Sequence, residues 1–102
     1  MDYVNLTPHA LRLNDGRELP ASGQVARVQA SFSEFDNDVC RQVFGEVQNL
    51  PEPQPGVRYV VSAMVLSALA GSRDDVVAPA TGHPDCQRNE QGHVMSVPGF
   101  VQ

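Results

Sequence analysis

Over the first thirteen residues the apolar positions Val4, Leu6, Leu11 and Leu13 fall on an alternating pattern that Pro8 interrupts. Alternation of period two marks a half-buried strand, so the segment predicts two short strand pieces joined at a kink. Pro8 has no N–H to give to a ladder and belongs at an edge or a bulge. Asn14-Asp15-Gly16-Arg17 then reads as a hairpin turn, because Asp-Gly supplies the positive φ that a tight reversal needs. After a loop at 19–23, residues 24–30 alternate again and predict a half-exposed strand. Val25 and Arg27 share one of its faces, Ala26 and Val28 the other; with the Val28 side inward, Arg27 points out. The stretch 31–38 is acidic and turn-rich and predicts a surface loop carrying Phe32 and Phe35. Residues 39–47 predict another strand, with a short helix as the alternative.

Three prolines at alternate positions, Pro51, Pro53 and Pro55, make 50–56 an extended, exposed connector. Residues 57–61 are β-branched and aromatic and predict a strand. Ser62 is a good N-cap for a helix over 63–70, and Gly71 closes it. Val76-Val77-Ala78-Pro79 predicts a strand ending at proline. Strand, helix and strand form a compact βαβ-like unit, which for a parallel pair requires a right-handed crossover. The polar stretch 80–92 is turn-rich, and 93–101 alternates as a last strand. The expected fold class is α+β: a small mixed or antiparallel sheet with one short helix packed on it, in a single domain over 1–102.

A chain of 102 residues has room for one core, and hollowing it for a deep cavity costs stability. A site on the surface or between subunits is easier to build. The hydrophobic fraction of 41% and charged fraction of 19% are those of a folded domain. A formal charge of −5 argues against binding a DNA or RNA backbone, which needs clustered cations. All seven basic residues are arginine, however, and guanidinium is the better bidentate partner for phosphate. No basic and apolar leader opens the sequence, and the longest apolar run, 59–70, is too short to span a bilayer. The expectation is a cytoplasmic protein without membrane attachment, whose Cys40 and Cys86 are reduced thiols acting as small apolar side chains.

Catalytic and metal constellations are weak. His83, Asp85, Cys86 and His93 are ligand types that zinc accepts, but no paired spacing completes a motif, so no metal site is assigned. Ser62 stands at a strand-to-helix corner, yet Val61 and Ala63 replace the glycines that a nucleophile elbow needs. Asp74 and Asp75 read as a solvated turn. There is no glycine-rich phosphate loop. An anion would have to use the N–H groups of Ala63 and Met64 at the helix start, or arginines that converge in space. Binding without catalysis and without a cofactor is the expectation.

The segments Asn5-Leu6-Thr7-Pro8-His9-Ala10, Tyr59-Val60-Val61-Ser62-Ala63, Asp74-Asp75-Val76-Val77-Ala78-Pro79 and Arg88-Asn89-Glu90-Gln91-Gly92 together resemble a family of small phage and prophage proteins. The Asn-Leu-Thr-Pro-His opening is the most specific mark. Within that neighbourhood the chain is similar to the phage Thoeris anti-defence sponges of the first type. The resemblance implies a homo-oligomer that sequesters cyclic ADP-ribose-like signals, and in some members cyclic oligonucleotides, without cleaving them. It further implies arginines on phosphates, here Arg27, Arg58 and Arg88, with Tyr59, Phe44 and Asn89 as base contacts. A hydrolase destroying such signals, and a prophage structural or partner-binding protein with no small-molecule site, are the competing readings.

Overall fold

The computed structural model describes residues 2–102. Its elements in chain order are β1 (Asp2–Asn5), β2 (Leu11–Arg12), β3 (Glu18–Leu19), β4 (Ala30–Phe32), β5 (Gln42–Phe44), β6 (Val57–Val60), α1 (Ala63–Leu69), β7 (Val76–Pro79), β8 (Gln87–Arg88), β9 (Val94–Ser96) and β10 (Phe100–Val101). The fold is mixed α+β with low helix content. Four strands form the central sheet in the order β1-β6-β7-β10. β6 runs parallel to both β1 and β7, whereas β10 pairs with β7 antiparallel. The remaining strands make three hairpins, β2-β3, β4-β5 and β8-β9.

The expected β-helix-β unit is β6-α1-β7. Ser62 caps the helix, its hydroxyl accepting from the Val65 N–H at 3.3 Å. Ala70 already adopts the left-handed conformation, φ 50°, one residue before Gly71 at φ 80°. Its N–H closes on the Ser67 carbonyl.

Register sets Val4, Tyr59 and Val76 side by side across three strands. Tyr59 and Val76, with Leu6, Ala26, Val61 and Val65 of α1, form the core, and Val4 packs against it. Val28, Val47, Leu50, Leu66 and Leu69 close its margin. Each fully buried valine contributes on the order of 1.5–3 kcal/mol, and Val60, Val61 and Val76 are wholly excluded from solvent. On the sheet's other face, the Tyr3 and Phe100 rings stack at 5.1 Å, linking the two edge strands across the inner pair. Leu13 and Val97, bridged in parallel, are buried in the layer that the β2-β3 and β8-β9 hairpins add.

The region 27–48 departs from the expected strand–loop–strand pattern. It is one long hairpin, with backbone pairing that begins at Arg27 and Gln48, passes through β4 and β5, and ends at Asp36 and Val39. Pairing slips by one residue between Arg27–Gln48 and Gln29–Gly45, and again between Ser33–Arg41 and Asp36–Val39. Such bulges break the side-chain alternation on which the strand boundaries were read, leaving three regular residues on each side. Asn37 and Asp38 both have positive φ, the geometry of a two-residue hairpin turn. What looked like a loop at 31–38 is therefore half strand and half hairpin tip. The radius of gyration, 15.1 Å, exceeds the roughly 13 Å of a compact chain this long, and the longest extent is 47 Å.

Candidate functional site

The Asn-Leu-Thr-Pro-His opening is a folding device. Asn5 is buried where β1 ends; its Nδ2 donates to the carbonyls of His9 and Leu19 at 2.9 and 3.0 Å. Its Oδ1 accepts from the Thr7 N–H at 2.9 Å and from the Thr7 hydroxyl at 2.6 Å, with the His9 carbonyl 3.0 Å from the same hydroxyl. One amide thus satisfies the buried stretch Asn5–Thr7 just before the exposed Pro8, where the ladder ends. Leu6, between the two polar residues, is buried in the core.

A second polar knot joins the proline connector to the sheet. The Arg73 guanidinium donates to both carboxylate oxygens of Asp75 at 2.8 Å and to the Pro51 carbonyl at 2.9 Å. Both side chains are largely buried. The hydrogen bonds from Arg73 hold the Asp75 carboxyl below its ordinary range against the opposing effect of burial. The same bond to Asp75 raises the Arg73 guanidinium. Asp75 is therefore not the solvated turn residue its neighbourhood suggested, and the connector is pinned. The Tyr59 hydroxyl pins it again, donating to the Glu52 carbonyl at 3.0 Å.

The six residues expected to hold a nucleotide fall in three regions. Arg27 and Phe44 belong to the long hairpin, Arg27 exposed at its root and Phe44 half-buried on β5. Arg58 and Tyr59 are consecutive on β6, so they face opposite sides of the sheet. Arg58 is exposed, whereas Tyr59 is 2% exposed and offers no ring face for stacking within one chain. Arg88 and Asn89 lie at the end of β8. The Arg88 guanidinium donates to the carbonyls of Thr81 and Gly92, each at 2.9 Å, clasping the loop around it. Asn89 Oδ1 accepts from the N–H groups of Gln91 and His93, shaping the β8-β9 turn.

Most surface depressions lie elsewhere, although one of about 410 Å³ is lined by Gln29, Ala30, Ser31 and Gly45 on the long hairpin. One of about 440 Å³ opens beside the end of α1 and is lined by Leu66, Leu69, Gly71 and Arg73 among others. Two others, of about 340 and 500 Å³, adjoin at Pro79 and Thr81. None of these linings includes Arg27, Arg58, Arg88, Tyr59, Phe44 or Asn89. Among the described residues no three metal-ligating side chains come together, and His83 Nδ1 accepts from the Asp85 N–H. Cys40 and Cys86 are half-buried and unbridged. No helix of the described residues is long and apolar enough to cross a membrane.

The largest unexplained feature is apolar. On the long hairpin, Phe32, Phe35, Val39 and Val43 are between 55% and 75% exposed. Two phenylalanines three residues apart in an acidic stretch were the available signal, because polar loops have no use for such side chains. No protein family, no curated protein and no solved structure matches this chain.

Proposed function

We propose that this chain is a non-catalytic sponge: a phage-encoded protein that binds cyclic nucleotide immune signals intact and so counteracts bacterial anti-phage defence. Its ligands are cyclic ADP-ribose-like molecules or cyclic oligonucleotides, held by an oligomer. The observation that carries the reading is that Arg27 and Arg58 stand exposed without a carboxylate partner among the described residues. In a chain of net charge −5, guanidinium groups left unpaired are the ones free to receive a phosphate. Arg88 spends two of its N–H groups on the loop and keeps others. With Tyr59 buried and no depression shared by the arginines, the enclosure must be completed by another copy.

Sequestration needs affinity and copy number rather than a reaction, and each ~1.4 kcal/mol of binding free energy is tenfold in Kd. Isothermal titration against cyclic ADP-ribose isomers and cyclic dinucleotides tests the reading. Binding is expected, and replacing Arg27 or Arg58 by alanine should weaken it by about 1.5–3 kcal/mol where that side chain meets a phosphate. Recovery of a cleaved nucleotide would instead place the chain among the hydrolases. The exposed apolar hairpin favours a second reading, a prophage structural or partner-binding protein. That reading predicts no heat with any nucleotide and a protein captured through the hairpin.

A further inference from the structure

The chain contains a single Asp-Gly step, Asp15-Gly16, and no Asn-Gly. Such a step carries its own chemistry. The backbone nitrogen of the following residue can attack the carboxyl carbon of the aspartate, and glycine has no side chain to obstruct the approach. A C–N bond then forms between Asp15 Cγ and the Gly16 nitrogen. One carboxyl oxygen leaves as water, carrying the nitrogen's proton and one from solvent. Water next opens the five-membered imide at either carbonyl, returning aspartate or leaving isoaspartate, in which the chain runs through the former side chain. Only water and the chain's own groups take part.

In the β2-β3 turn each participant is already engaged. The Gly16 N–H donates to the Leu13 carbonyl at 3.0 Å, so attack gives up that bond. Both carboxylate oxygens of Asp15 accept from Arg17, Oδ1 from its N–H at 3.0 Å and Oδ2 from its Nε at 2.8 Å. The departing oxygen has to be protonated, and two donors from one residue favour the ionised form instead. The Arg17 N–H, joined by its guanidinium, holds the Asp15 carboxyl below its ordinary range. Leu13 and Arg17 close the turn, the N–H of the first donating to the carbonyl of the second at 2.8 Å. The step is otherwise open. The Asp15 and Arg17 side chains are more than half exposed, and beyond the adjacent residues nothing lies within 4 Å of where a Gly16 Cβ would stand.

We infer that Asp15-Gly16 is a self-isomerisation site, which Arg17 holds closed while the β2-β3 turn is formed and which becomes reactive once the turn is undone. Isoaspartate at position 15 lengthens the backbone between Asp15 and Gly16, so the Leu13–Arg17 pairing loses its register. Leu13 is buried and bridged to the buried Val97, and the modification therefore loosens the layer that the hairpins add to the sheet. A chain that has once unfolded is marked by it. The site acts whether or not the chain binds a nucleotide.

Prolonged incubation of the full chain at neutral pH, followed by peptide mapping and isoaspartyl methyltransferase labelling, counts isoaspartate at position 15. In urea, where the turn is absent, it should form at least ~tenfold faster than in the folded chain, because the closed turn has to open before the attack. Arg17→Ala, with folding checked by circular dichroism, should raise the folded rate about two- to fivefold, the factor that an exposed ion pair carries. Arg12→Ala removes the loose 3.9 Å contact with Glu18 across the same hairpin and leaves the Asp15 carboxylate untouched, so its rate should match wild type. Equal rates in the folded and urea-unfolded chain overturn the inference. So does an Arg17→Ala rate equal to wild type. An Arg12→Ala rate as high as that of Arg17→Ala also overturns it, since fraying of the hairpin rather than the Arg17 clasp then governs the step.

Discussion

The central sheet and the 27–48 hairpin spend similar side chains in opposite ways. Val60, Val61 and Val76 sit in register between neighbouring strands and are fully buried. Val39 and Val43, also in or beside strands, are 65% and 55% exposed. Among the described residues every buried polar side chain of the body is satisfied, through the Asn5–Thr7 pairing, the Ser96–Asn14 hydrogen bond and the largely buried Arg73–Asp75 pair. Beyond its root at Val28 and Val47 the hairpin contributes nothing to that core among the described residues. Body residues therefore answer to stability, whereas the outer hairpin residues stand outside the buried core.

That contrast breaks most visibly at Leu6. Leu6→Ala empties a site in the core and should cost about 2–5 kcal/mol in urea unfolding. Asn5→Ala leaves the Thr7 N–H and two carbonyls without their partner, and a loss of about 2–3 kcal/mol is expected from the same measurement. Asp75→Asn should cost about 1–2 kcal/mol at neutral pH by discharging the pair with Arg73. Its pH dependence sharpens the assignment. The Asp75 pKa is lowered on folding, so its stabilisation is complete above the unfolded value of about 3.9 and fades as pH falls through the lower folded value. Wild type and Asp75→Asn should accordingly converge in stability only in acid. At the small end, Phe35→Ser should change the stability of the single chain by less than about 0.5 kcal/mol. A loss comparable to that of Leu6→Ala would mean that the outer hairpin belongs to the folding core.

The body was legible in the sequence because its signals are local. Asp15-Gly16 fixes the β2-β3 turn, Ser62 and the residues around Gly71 bound the helix, and Pro79 ends β7. The hairpin's bulges were not legible, since a one-residue slip leaves no compositional trace, and they concealed that 24–30 and 39–47 are two sides of one hairpin. The Arg73–Asp75 clamp was missed because its third member, the Pro51 carbonyl, comes from a distant stretch of the chain. Of the expected ligand residues, Arg27 and Arg58 are exposed. Tyr59 carries an aromatic ring suited to stacking, but the β6 register that pairs it with Val4 and Val76 turns that ring inward.

The most direct test is mass spectrometry of small molecules released when the full chain, purified from cells making cyclic nucleotide signals, is denatured. The account predicts an intact cyclic ADP-ribose-like or cyclic oligonucleotide species, depleted in the Arg27→Ala and Arg58→Ala variants. A released nucleotide that has been opened, or a protein that carries none and takes none up when the signals are added, contradicts it.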